Sequence, residues 1–274
     1  MDLKLRDATV LVTGGTRGIG FEIAQQFAAE GARVAICGRD RARLQAAEAT
    51  ILASGGDCVA FQADLFDPDA AGMFVEQAVA SLGRLDVLVN NASTNVDRVP
   101  ARLEDASDSQ LLERIMGKLM AAIRCSRAAI PHMRRTGGGR IICIGGTSAR
   151  AVSRDGPGPA ARSELPQGLG NAALANFVKH LSEEVARDGI LVNVVHPYQT
   201  KTDRYPARIA KLAAEQGISA VAAEAHLAAS VPIGRMIVPA DIAPLVLFLA
   251  SPLAGAITGQ AVAVDGGAVP AVAY

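Results

Sequence analysis

Glycines at positions 14, 18 and 20 enclose Gly15, Thr16, Arg17 and Ile19, and that spacing suits one chemistry: bringing main chain up to a phosphate. Gly14 permits a tight turn, Gly18 lets backbone approach the anion, and Gly20 lets a following helix lie close to the sheet. The N–H groups of that helix's first turn have no partners within it, so they would face the phosphate. Other chemistries find less footing. Cys37, Cys58, Cys125 and Cys143 lack the spacing of a metal site and read as small buried hydrophobes. Basic and acidic residues number 27 each, which leaves no overall field to draw in nucleic acid or an anionic membrane.

The loop works only if a strand enters it and a helix leaves it. An apolar run at 8–13 precedes it, an amphipathic run at 21–30 follows, and a second apolar run occupies 33–37. This is the first half of a dinucleotide-binding unit. The alternation continues, with helices expected near 42–53, 68–82, 108–133, 172–187 and 241–250. Strands are expected at 58–62, 85–89, 140–144, 190–195 and 261–264. The stretch 145–170, rich in Gly, Pro, Ser and Arg, is expected to be loop, and 203–232 to form one or two short helices.

Such alternation predicts an α/β fold of the Rossmann type, doubly wound, with a mostly parallel sheet and helices on both faces. Right-handed crossovers would gather the C-terminal strand ends, and the site with them, along one edge. Residues 1–274 are expected to form a single domain, with 203–232 a substrate-side excursion from it. No stretch is apolar for long enough to span a bilayer, and no apolar core of a signal peptide follows Met1, so a cytoplasmic protein is expected. The helices around 117–129 and 172–187 are apolar beyond one core-facing stripe, which points to a homo-oligomer or to a thick core.

The ordered motifs resemble the classical branch of the short-chain dehydrogenase/reductase family. The likeness rests on 13–20, on Asp64 after the third strand, and on Asn90, Asn91 and Ala92 after the fourth. Pro131-His132-Met133, Gly139-Arg140-Ile141-Ile142, Ile190-Leu191-Val192-Asn193 and Ile257-Thr258-Gly259-Gln260, followed by Asp265-Gly266-Gly267, complete it across nearly the whole chain. The resemblance implies a seven-stranded fold, a dimer or tetramer, NAD or NADP as cofactor, and interconversion of a carbonyl and an alcohol. It also implies the cofactor contacts. These are Gly14, Thr16, Arg17, Gly18, Ile19 and Gly20 at the phosphates, and Asp64 with Leu65 at the adenine. Asn90, Asn91, Ala92 and Asn171 fall at the riboses, and Pro197 and Thr202 at the nicotinamide.

Charge then argues for NADP over NAD. A carboxylate at the end of the second strand would bind the ribose hydroxyls and repel a 2′-phosphate. Gly38 stands there, followed by Arg39. Together with Arg17 this offers two guanidinium groups to a phosphate, unless Arg39 is an ordinary solvated residue.

The reaction centre departs from the family pattern. That pattern uses a Tyr as general acid and base, a Lys one helical turn later, a Ser that polarises the carbonyl, and an Asn that holds a water. Gln167 stands in place of the tyrosine, Asn171 of the lysine and Lys118 of the asparagine. Gly146 stands in place of the serine, with Thr147 and Ser148 beside it. Tyrosine occurs only at 198, 205 and 274, so no small shift restores it. Amides do not supply protons at neutral pH, although Gln167 and Asn171 can hold ribose or substrate.

Lys118 is the sharpest substitute. Facing a nicotinamide it would be partly desolvated, with a lowered pKa that suits proton donation; pointing outward it would do nothing. His196, at the end of the sixth strand, is expected either to titrate near neutrality beside the site or to form a shoulder of the turn. Tyr198 and Tyr205 border the excursion as hydrogen-bond donors or pocket walls. Arg150, Arg154 and Arg162 crowd the loop before Gln167 as anion holders or as a solvated face.

Two functions compete. One is an atypical NADP(H)-dependent oxidoreductase that acts on a C=O, C=C or C=N bond of a small molecule without the Tyr/Lys pair. The other is a non-redox enzyme or cofactor-binding pseudoenzyme in a biosynthetic pathway. The complete cofactor loop favours the first, and nothing favours a nucleic-acid-binding module.

Overall fold

The computed structural model describes residues 1–93, 103–152 and 165–270. Arg154, Arg162 and the rest of 153–164, within the expected loop 145–170, lie outside the described residues. Seven strands form one sheet: β1 (Thr9–Thr13), β2 (Arg33–Gly38), β3 (Asp57–Gln62), β4 (Val87–Asn90), β5 (Gly139–Ile144), β6 (Ile190–Pro197) and β7 (Ala261–Val264). Their order is β3-β2-β1-β4-β5-β6-β7, and every pairing is parallel. The direction reverses between β1 and β4, where an open sheet of this kind forms its binding crevice.

Strands buried on both faces need no polar side, which explains the unbroken apolar runs of β1 and β4. Alternate residues still divide between two cores. Val10, Val12, Val87 and Val89 face one, with α1 (Gly18–Ala29) and α8 (Pro239–Ala250) packed over them. Leu11, Leu88, Ile141 and Cys143 face the other, under α3 (Pro68–Leu82), α4 (Asp108–Arg135) and α5 (Leu165–Val185). A third, smaller cluster around Tyr205, Ile209 and Leu227 joins α6 (Tyr205–Gln216) to α7 (Ala220–Ala229), the helices of the expected excursion. Helix α2 (Arg41–Ala53) covers β2 and β3.

Two local expectations change. Helix α5 starts at Leu165, seven residues before the expected 172, so Gln167 and Asn171 are helical rather than in a loop and at its end. Pro166 and the glycines that follow read as loop, but a proline costs nothing in a first helical turn because its missing N–H would have no partner there. Strand β6 runs two residues further than 195, so His196 and Pro197 pair with Ala263 and Val264 instead of beginning a turn.

The four cysteines are buried as free thiols. Burial pushes Cys37, Cys58 and Cys143 up to about 12 and raises Cys125 as well. Among the described residues no His, Cys, Asp and Glu cluster is placed to hold a metal, and no helix is long and apolar enough to cross a membrane.

Candidate active site

The glycine loop links β1 to α1 and is tied from behind by β4. Asn91 donates its side-chain amide to the carbonyls of Thr13 (3.0 Å) and Gly14 (3.2 Å). The Thr13 hydroxyl accepts the backbone N–H groups of Asn91 and Ala92 at 2.9 and 3.0 Å. A side chain at Gly20 would collide with the Asn91 amide, so glycine is required there by close approach. Gly18 has φ +56°, in the left-handed region. Arg17, the residue before α1, has extended backbone and gives the helix no side-chain cap. The first-turn N–H groups of Gly18, Ile19 and Gly20 are thus left for an anion.

The residues expected at the adenosine lie at the ends of β2 and β3. Gly38 abuts Thr16, whose Cγ2 lies 2.6 Å from where a Cβ at 38 would stand, so any side chain at this strand end would have to displace the Thr16 methyl. The Arg39 guanidinium lies 5.7 Å above the Phe66 ring. Asp64 is exposed and accepts the Phe66 N–H at 3.2 Å, while Leu65 is buried in the core. From the opposite side, Thr202 packs its methyl toward Gly18, and Asp203 reaches Arg17 at 3.4 Å. These contacts bring the expected cofactor residues to one sheet edge.

The residues expected at the reaction centre come together from α4, α5 and the segment after β5. Lys118 points inward. Its ammonium donates to the Gly145 carbonyl (2.9 Å) and to Asn171 Oδ1 (3.1 Å). Asn171, almost fully buried, donates through Nδ2 to Ser148 Oγ at 3.0 Å. Ser148 sits in a short 3-10 turn, Thr147–Ala149. Gly146 lies against the same amide: a Cβ there would be 2.7 Å from Asn171 Nδ2. One chain of contacts therefore runs from an ammonium through a carboxamide to a hydroxyl.

Of the two roles expected of His196, titration near neutrality does not fit its surroundings. It is 1% exposed, and its Nδ1 accepts the Gly146 N–H at 3.0 Å. That bond puts the ring proton on Nε2, which has no partner among the described residues. Burial, with the charges of Arg150 and Lys118 adding to it, pushes the imidazole down to about 4, well below the expected titration near neutrality. At neutral pH it is an uncharged acceptor that holds the main chain after β5.

The remaining candidates lie apart from this chain of contacts. Gln167 is exposed one turn before Asn171. Tyr198 is half-buried between the main core and the excursion. Tyr205 is buried with its hydroxyl unpartnered among the described residues. Sequence reasoning missed the Gly145 carbonyl as a lysine acceptor and Asp203 as the partner of Arg17. No residue type signals a carbonyl, and Asp203 stands 186 positions from its partner.

Residues 14–269 match the family model described as enoyl-(acyl carrier protein) reductase. The chain is 34% identical over 262 residues to the short-chain reductase protein NovJ of Streptomyces niveus, covering 96% of this chain and 94% of that one. It is 36% identical over 269 residues to the rhamnolipids biosynthesis 3-oxoacyl-[acyl-carrier-protein] reductase of Pseudomonas aeruginosa, covering 96% and 97%. Among solved structures, YwfH, an NADPH-dependent reductase involved in bacilysin biosynthesis, superimposes with a TM-score of 0.85 at 28% identity, covering 97% of this chain and all of that one. On this agreement of motifs, strand order and relatives, the chain belongs to the short-chain dehydrogenase/reductase family and is an oxidoreductase of that type.

Proposed function

We propose that this protein is an NADPH-dependent reductase of a small organic substrate in a biosynthetic pathway, working with Lys118 where the family pattern has a Tyr/Lys pair. The carrying observation is the place of Lys118 Nζ, 3.1 Å from the side chain of Asn171. Relative to the family pattern, the two residue types are exchanged: lysine enters from α4 and asparagine from α5. The exchange keeps one ammonium and one carboxamide in contact, so the positive charge is retained although the helix supplying it differs.

The residues fit the cofactor. The uncapped start of α1 would hold its pyrophosphate, Arg17 its 2′-phosphate, and Thr202 its nicotinamide end. When bound, the nicotinamide supplies a hydride with its electron pair to the carbon of a C=O, C=C or C=N bond. For a carbonyl the π pair then moves to oxygen, which must gain a proton. Lys118 holds that proton on Nζ, and solvent returns it after turnover. The Gly145 carbonyl and Asn171 Oδ1 aim the ammonium, while Ser148 and Gln167 orient the substrate. His196, held neutral, supplies no proton near pH 7. Tyr198 forms a wall on the excursion side. Residues 1–274 act as one domain in the cytoplasm, assembled as a dimer or tetramer; exposed Leu112, Met116, Leu165 and Leu169 on α4 and α5 favour assembly.

The test is NADPH oxidation with 3-oxoacyl thioesters and a panel of small ketones, for wild type and Lys118→Met. Methionine keeps the stem and removes the charge. Loss of a general acid costs about ten- to ten-thousandfold in turnover. A Lys118→Met protein as fast as wild type would remove the lysine from the mechanism. A wild type that binds NADPH and oxidises it with none of these substrates would favour the non-redox reading.

A further inference from the structure

The ladder between β5 and β6 ends at one peptide group, the one joining Gly145 to Gly146. Gly145 still donates its N–H to the Val195 carbonyl at 2.8 Å. In a parallel ladder the next bond would run from residue 197 back to the Gly145 carbonyl, but Pro197 has no N–H to give. Beyond the glycines, the Ala149 N–H closes a turn onto the Gly146 carbonyl at 3.1 Å. Between these anchors, among the described residues, side chains hold the peptide group at both ends. Its N–H goes to His196 Nδ1 at 3.0 Å, and its carbonyl takes the Lys118 ammonium at 2.9 Å.

The local sequence does little to fix the tilt of that group. A glycine stands on each side, so no Cβ opposes rotation of the peptide about the chain. Bulk is excluded at both positions: a Cβ at Gly145 would collide with the imidazole, and one at Gly146 with the Asn171 amide. Rotation by half a turn would set the Gly146 N–H, a donor, against the ammonium, also a donor. An imidazole nitrogen on the N–H side opposes it, and only an uncharged ring has a lone pair there. Burial, with the charges of Arg150 and Lys118 adding to it, holds the ring at about 4 and hence uncharged at neutral pH. Hydrogen bonds at opposite ends of one peptide also polarise each other, so a filled N–H makes the carbonyl a better acceptor.

We propose that His196 is a positioning residue for Lys118: by holding the Gly146 N–H it aims the Gly145 carbonyl, and that carbonyl aims the ammonium. The consequence for turnover rests on the reading of Lys118 as proton donor, whereas the mechanical link does not. The histidine passes no proton and acts only through the main chain. His196, Gly145, Gly146 and Lys118 thereby form one unit. The ring needs glycine at 145, the Asn171 amide needs glycine at 146, and the lysine needs the carbonyl that Pro197 leaves without a ladder partner.

The experiment compares the full chain as wild type, His196→Leu, His196→Asn, Lys118→Met and the double variant His196→Leu with Lys118→Met. Leucine fills the space without an acceptor, whereas asparagine brings Oδ1 near the place of Nδ1. In chemical denaturation the double variant is expected to shift the midpoint by clearly less than the two single shifts together, because both residues act on one peptide. Additive shifts would overturn the link. In NADPH oxidation with the same thioesters and ketones, His196→Leu is expected to lower kcat by about ten- to a hundredfold, the scale of an ångström of misaim, with NADPH affinity within about twofold of wild type. His196→Asn is expected to recover most of that loss. In the Lys118→Met background His196→Leu should cost less than about twofold. With Lys118→Met slow, a His196→Leu protein as fast as wild type, or an undiminished loss in the double variant, would overturn the proposal. If His196→Leu does not fold, amide hydrogen exchange at Gly146 carries the test without it: the N–H is expected to exchange about tenfold faster in Lys118→Met than in wild type, and equal rates would overturn the link. A Lys118→Met protein as fast as wild type would sink the proton-donor reading, and midpoints that do not add would leave the link standing.

Discussion

Adding one methyl group at Gly146 tests the reaction centre most directly. Gly146 has extended backbone, φ −177°, which any residue adopts, so Gly146→Ala introduces no conformational strain of its own. The new Cβ would stand 2.7 Å from Asn171 Nδ2, against about 3.5 Å for an unstrained contact. One of the two must move by nearly an ångström. The main chain is poorly able to, because His196 Nδ1 holds the Gly146 N–H at 3.0 Å. The amide must therefore swing away from Lys118 and Ser148, which it meets at 3.1 and 3.0 Å, and both bonds pass out of range. A neutral bond is worth about 0.5–1.5 kcal/mol and one to a charged group about 1.5–3 kcal/mol, so the expected loss is about 2–4 kcal/mol. Chemical denaturation of the four members of a cycle with Asn171→Ala measures it. With the amide gone the methyl has space, and Gly146→Ala should then cost under about 1 kcal/mol. Equal costs in both backgrounds would refute the steric coupling.

Three further outcomes are expected. His196 has a folded-state pKa of about 4, below its unfolded value of about 6.5, so the unfolded chain binds the extra proton between those values. The stability it contributes is complete above pH 6.5 and is lost as pH falls towards 4, at most about 3 kcal/mol, and denaturation of His196→Asn across that window should lack this part of the slope. Turnover of His196→Asn should keep the wild-type pH profile around neutrality; a profile that flattens there would restore the histidine as proton donor. NADPH should bind more tightly than NADH by about 1–3 kcal/mol in fluorescence titration, and equal affinities would contradict the role of the arginines. Sedimentation equilibrium at micromolar concentration should give a dimer or tetramer, and a monomer throughout would remove the assembly from the proposal.

The fold was legible because its signals are local or periodic. Apolar runs of strand length, separated by helices, specify a parallel sheet before any contact is known, and the glycines at 14, 18 and 20 lie within one turn of each other. The start of α5 was misread because Pro166 and the glycines after it carry the composition of a loop, while a first helical turn tolerates them. The inward aim of Lys118 was open in sequence, since a one-residue change of register on α4 would turn it away. What decides it is a carbonyl from Gly145 and a side chain 53 positions distant. The choice between the two roles of His196 was open for a related reason: its ordinary pKa belongs to a solvated ring, and only three-dimensional burial removes the water.

The four buried thiols have a consequence for how opening of this molecule can be followed. A thiol pushed up to about 12 presents almost no thiolate at neutral pH, and a buried one admits no reagent. Alkylation of each cysteine therefore waits on the exposure of its own surroundings. Cys58 lies on the edge strand β3, Cys37 on its neighbour β2, Cys143 on β5 inside the sheet and Cys125 on α4 above it. The chain thus carries four native clocks, and the order in which mass spectrometry finds them labelled traces whether the sheet opens from its β3 edge or all at once.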